Sequence, residues 1–141
     1  MQGRNTKDLE QSLSACASAD DYLEENAEQM FTLPVEDYLN EYLESHSLTR
    51  SEVIANSGLN EIYGYQIFAG KRKPSRDKLL CICFGMRLSA DETQTLMKKC
   101  GYPTLYAKKR RDSVILYALM HEMTLMQCNE SLYSAGEALL G

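Results

Sequence analysis

Apolar residues recur along this chain at steps of three and four: Leu39, Tyr42 and Leu43; Leu79, Ile82 and Cys83; Val114, Leu116, Tyr117 and Met120. That spacing puts each group on one side of a helix with 3.6 residues per turn. Runs of alternating β-branched residues are missing, so the chain reads as all-α. Thr49-Arg50-Ser51-Glu52 has the form of a capping box, in which the threonine caps and the glutamate reaches back. Ser89-Ala90-Asp91-Glu92 repeats it, and Thr124-Leu125-Met126-Gln127 is a weaker third. Gly58 and Gly70 fall where a left-handed helix stop is wanted. Ser75, just after Pro74, is a good N-cap, and Gly101-Tyr102-Pro103 breaks the chain again. These signals predict helices over about 7–16, 20–30, 36–46, 50–57, 61–69, 75–85, 90–100, 108–121 and 125–136. No internal repeat is evident.

Length and charge narrow the class. The 141 residues amount to about one domain. No stretch approaches the ~20 apolar residues that span a bilayer, and Met1-Gln2-Gly3-Arg4-Asn5 lacks a hydrophobic signal core. A cytoplasmic chain without a membrane partner is expected. The net charge of −5 is split along the chain. Residues 1–47 hold 2 basic and 11 acidic side chains, whereas 71–111 hold 12 basic against Asp77, Asp91 and Glu92. A basic centre of this kind can neutralise phosphates. Residues 1–32 are expected to form an acidic helical arm, 33–101 the main helical domain and 102–141 a C-terminal helical extension.

Catalysis is not expected. Neither His46 nor His121 sits near a serine, cysteine or aspartate in a triad-like spacing, and no phosphate-binding glycine loop is present. The five cysteines (Cys16, Cys81, Cys83, Cys100, Cys128) read as cytosolic thiols. Cys81-Ile82-Cys83 lacks metal-pair spacing, so small buried hydrophobes are expected, with no metal and no cofactor.

The informative stretch is 48–74. A capped short helix carries Val53 and Ile54, and stops at Gly58, whose missing Cβ permits a sharp turn between crossed helices. Asn60 then caps a second helix that stops at Gly70, and Lys71, Arg72 and Lys73 follow in a loop. Leu48, Thr49, Gly58, Gly70, Lys71 and Pro74, followed by Leu79, Leu80 and Met86-Arg87-Leu88, stand in the register of a known signature. On these residues the chain resembles the phage-repressor-like (xenobiotic-response-element type) helix-turn-helix family of bacterial DNA-binding regulators.

The resemblance covers about 36–100 and implies a five-helix lambda-repressor-like domain with extra N- and C-terminal helices. It implies duplex DNA as partner and a role in transcription regulation. Its register assigns Glu61, Ile62 and Gln66 to base edges: Gln66 to adenine, Glu61 to a cytosine amino group, Ile62 to a thymine methyl. Arg50, Lys71, Arg72, Lys73 and Arg76 would contact phosphates, positioning the protein without specifying sequence. The family usually reads two half-sites as a dimer. The apolar C-terminal helices, with Leu119, Met120, Met126 and Leu139 among their residues, are expected to form a homodimer seam or to pack on the core.

Two features depart from the pattern. Gly64 stands where the family buries an aliphatic residue, at a helix cost of about 1 kcal/mol relative to alanine; packing from Tyr65 or Phe68 is expected to offset it. The second helix is aromatic, with Tyr63, Tyr65 and Phe68, and carries no cation. Tyr63 and Tyr65 are expected to be partial core. If exposed, they would suit a protein partner better than duplex DNA. A protein-interaction adaptor on the same scaffold therefore stands as the alternative.

Overall fold

Ser47, Arg87 and Glu122 are the non-glycine residues with positive φ among those described, at 54°, 58° and 53°. Each follows a helix, and each turn is built alike. The next residue is apolar (Leu48, Leu88, Met123), and its N–H returns to the carbonyl of Leu43, Cys83 or Ala118 at 2.9–3.0 Å. A hydroxyl cap comes next. Thr49, Ser89 and Thr124 accept from the N–H of Glu52, Glu92 and Gln127, and the return bond that completes a capping box is present at Ser89 and Thr124. The three corners join α1 (Val35–Ser45) to α2 (Arg50–Asn56), α4 (Arg76–Gly85) to α5 (Ala90–Lys99), and α6 (Arg110–Met120) to α7 (Leu125–Ser134). Between them α3 (Glu61–Phe68) follows α2. The chain is seen here in a computed structural model, which describes residues 32–141. All the regular structure among those residues is helical. The helices expected over 7–16 and 20–30, and the acidic arm they form, lie outside the described residues.

Leu33–Gly141 form one compact unit. Its centre is α4, which is buried from Leu79 through Gly85 and is apolar on every side, as befits a helix wrapped by others. α2 and α7 pack on it. Gly85 lets α2 come close: a Cβ there would stand 2.6 Å from the main-chain oxygen of Val53. The C-terminal extension packs on this core, with α6 against α5 and α7 against α4. Among the described residues no helix is long and apolar enough to cross a membrane.

The structure corrects the expectation that the chain has no repeat. Residues 75–105 and 110–140 are two copies of one hairpin, offset by 35 positions. Gly101 and Gly136 end their second helices with φ of 78° and 72°. The Gln94 amide clasps the backbone of Leu105 through both its N–H and its C=O, and Asn129 clasps Leu140 the same way. Arg76 donates to the carbonyls of Pro103 and Thr104, and Arg111 to those of Ala138 and Leu139. The carboxylates cross over. Arg76 takes Asp112 of the second hairpin in a two-pronged pair (2.9 and 3.1 Å), and Arg111 takes Asp77 of the first (3.0 Å twice). The two hairpins are thus clamped to each other by reciprocal Arg-Asp dipeptides.

Candidate nucleic-acid interface

The corner between α2 and α3 is fixed by local chemistry. Ser57 is buried at the end of α2 and donates its hydroxyl to Val53. Gly58 follows at φ 65°, a conformation that a side chain would strain. Asn60 then caps α3, accepting from the Tyr63 N–H at 3.1 Å. The inner face of α3 holds Gly64, Ile67 and Phe68, all buried.

Gly64 is explained by the crossing rather than by its own helix. A Cβ at this position would stand 2.8 Å from Cγ2 of Ile54 on α2. Ile54 supplies the aliphatic filling that the resemblance expects at position 64, and not Tyr65 or Phe68, which were expected to offset the glycine.

The outer face of α3 is open. Glu61 is exposed, Ile62 is 71% exposed and Tyr65 39%, while Gln66 is half-buried. Tyr63 packs half-buried against the core, as expected of partial core, whereas Tyr65, of which the same was expected, is exposed. The end of α3 turns on Gly70, and the N–H groups of Lys71 and Arg72 return to the Gln66 carbonyl at 2.9 and 3.3 Å. Lys71, Arg72 and Lys73 are all exposed. The Arg72 guanidinium lies 5.2 Å from the centre of the Tyr63 ring, and the Lys73 ammonium 5.4 Å from that of Tyr102. Tyr102 is itself anchored, donating its hydroxyl to the Pro74 carbonyl at 2.6 Å. These contacts hold the two cations by their ring partners while leaving them in water.

Arg50, at the start of α2, donates its Nε–H to Oδ1 of Asn40 at 3.1 Å. The Asn40 amide in turn donates to the carbonyls of Glu36 and Phe68, both at 2.8 Å. One half-buried asparagine therefore ties together α1, the end of α3 and the arginine that opens α2. Sequence reasoning missed it; the signal was a polar residue directly after buried Leu39 in an otherwise amphipathic helix.

Arg76 requires a correction. It was expected to grip phosphate with the lysines before it. Its guanidinium is spent instead on Asp112 and two main-chain carbonyls of its own hairpin. The Asp112 carboxylate is buried, which would raise its pKa, but Arg76 and the Tyr106 N–H hold it below its ordinary value. Arg111 is likewise committed to Asp77, leaving Lys108, Lys109 and Arg110 exposed at the start of α6.

Among the described residues the thiols of Cys81, Cys83, Cys100 and Cys128 are all buried. Burial pushes Cys81 and Cys128 up to about 11 and Cys83 up to about 12, and raises Cys100 as well. Among the described residues no group of histidine, cysteine or carboxylate side chains is arranged to hold a metal ion. His46 stacks on Tyr42, one turn before it, with ring centroids 3.9 Å apart, and His121 lies tilted by 46° against Tyr117, at 4.1 Å.

No family model, no curated protein and no solved structure matches this chain.

Proposed function

We propose that this protein is a duplex-DNA-binding regulator of the phage-repressor-like helix-turn-helix kind, with α3 as its reading helix. The observation that carries the proposal is the construction of one corner. The inner face of α3 is sealed against α2 at Gly64, its outer face is open, and three exposed cations follow it directly. In the major groove, Glu61, Ile62 and Gln66 would meet base edges. Lys71, Arg72 and Lys73, together with Arg50, which Asn40 holds beside the end of α3, would meet phosphates. Arg76 has no part in this reading.

Fluorescence anisotropy of the full chain on random and genomic duplex pools tests it. Four phosphate contacts per chain give a slope of roughly −3.6 in log–log salt plots, or about a 100-fold loss between about 50 and 200 mM salt. Gln66→Ala should lose selectivity among sequences while keeping the slope. No binding at the lower salt would overturn the proposal. A homodimer would set two α3 helices on half-sites about one helical turn apart, and two chains per duplex in the same titration would establish it.

The exposure of Ile62 beside Tyr65, on a helix without a cation, favours one second reading: a protein-docking face on the same scaffold. It takes precedence if duplex binding is absent, or is present but indifferent to Ile62→Ser.

A further inference from the structure

Because residues 110–140 repeat the hairpin of 75–105, every surface position of the second copy has a counterpart in the first. Met126, Tyr133 and Leu139 are 72%, 79% and 47% exposed. Their counterparts are Asp91, Lys98 and Thr104, exposed as well. The hairpin therefore closes equally well with polar residues at these places, and its folding does not call for the apolar ones.

The three residues converge on a groove of about 710 Å³ between α7 and the turn after α2, where Leu125, Ala55 and Gly58 continue the apolar lining. Glu130 is the charged residue of its wall. Arg111, beside Leu139, is neutralised by Asp77, and Asp112 by Arg76. The groove is thus apolar, with one carboxylate, Glu130, and no cation in its wall.

We infer that this groove docks an amphipathic helix with basic flanks, contributed by a partner protein. Apolar side chains at three- and four-residue spacing would enter between Met126, Tyr133 and Leu139, and lysines or arginines beside them would face Glu130. Charge argues against the other occupants. The chain's own residues 1–31 carry 7 acidic side chains against 2 basic ones. A second copy paired through the same patch would bring together two walls whose one charged side chain is the Glu130 carboxylate. The inference stands apart from DNA binding, because it uses none of the residues assigned to that role.

The full-length protein would be titrated with a labelled amphipathic peptide of leucine and lysine, and with its leucine–glutamate counterpart. The comparison variant is Met126→Asp, Tyr133→Lys and Leu139→Thr together, which gives the second hairpin the residues of the first and leaves net charge unchanged. The expected result is micromolar, salt-sensitive binding of the basic peptide, at least about tenfold weaker in the triple variant and for the acidic peptide, with Tm and duplex binding unchanged. Tyr133→Lys alone, at the most exposed of the three positions, keeps the test decisive should the triple variant fold poorly; it should weaken binding severalfold. Equal affinity of wild type and variants, or equal binding of the acidic peptide, would overturn the inference. Self-association in sedimentation equilibrium that the variants abolish would also overturn it, assigning the groove to a second copy.

Discussion

The branched side chain of Ile54 fills the place where a Cβ on Gly64 would stand. Helix propensity alone would make Gly64→Ala stabilising by about 1 kcal/mol. The crossing reverses that sign, because Cγ2 and Cγ1 of Ile54 lie 2.8 and 2.9 Å from the new atom. Overpacking of this kind costs about 1–3 kcal/mol. Urea unfolding should show a net loss for Gly64→Ala, and the double variant with Ile54→Ala should lose less than the sum of its parts.

Gly85→Ala is expected to be worse. The atoms in its way include the main-chain oxygen of Val53, at 2.6 Å, as well as the Ser57 hydroxyl. A side chain can change rotamer, but this carbonyl can move only if α2 moves with it. Gly85→Ala should cost more than Gly64→Ala in the same urea series, at or above about 3 kcal/mol.

Thr93 should be improvable. Its hydroxyl is buried without a nitrogen or oxygen partner among the described residues, beside the thiol of Cys83, which is a weak one. The matching position after the α1–α2 corner holds Val53, and in the second hairpin Cys128. Thr93→Val keeps the shape and removes the orphaned group, so it should raise Tm, by up to about 1 kcal/mol in stability.

The Arg76–Asp112 clamp predicts a pH dependence. Asp112 is held below its ordinary value when folded, so its contribution is complete above the unfolded value of about 3.9 and is lost as pH falls through the lower, folded one. Asp112→Asn should cost about 1–3 kcal/mol at neutral pH, and its deficit relative to wild type should shrink as the medium is acidified. Arg76→Gln should show the same pattern. It should leave the salt slope of duplex binding unchanged, which separates the clamp from a phosphate contact.

Lys71→Ala, by contrast, should leave stability nearly untouched and reduce that slope by about 1. Asn40→Ala should weaken duplex binding through Arg50 without removing a charge, so the slope should fall less than the affinity does. Anisotropy at several salt concentrations checks both.

Much of the fold is legible in the sequence where the signal is local. Thr49, Ser89 and Thr124 announce helix starts because a cap needs only a hydroxyl and the next three residues. Gly58 and Gly70 announce stops for a similarly local reason. The start of α6 was expected at 108 and falls at Arg110, after a turn in which the Lys109 N–H donates to the Tyr106 carbonyl at 2.9 Å. What could not be read depends on distant partners. Charge near 71–76 marks Arg76 as basic, but only the fold brings Asp112 to it. The repeat escapes because Arg, Asp, Gly and Leu are the only identities between the two copies, while Ile82 answers to Tyr117 and Lys98 to Tyr133. The open face of α3 and the cations after it follow the sequence register closely. The tie through Asn40 does not, because it joins three separate segments.

The crossed grips of Arg76 and Arg111 bear on how the molecule comes apart. In a plain stack of hairpins the terminal unit peels off first, since it has one neighbour instead of two. Here each arginine closes the loop at the end of its own hairpin and at the same time holds the carboxylate of the other. Peeling away 110–140 would leave Arg76 without its carboxylate, and with it the loop through Pro103 and Thr104 would lose its anchor. The two hairpins should therefore exchange their amide protons as a single cooperative block, with the last helix as protected as the one before it.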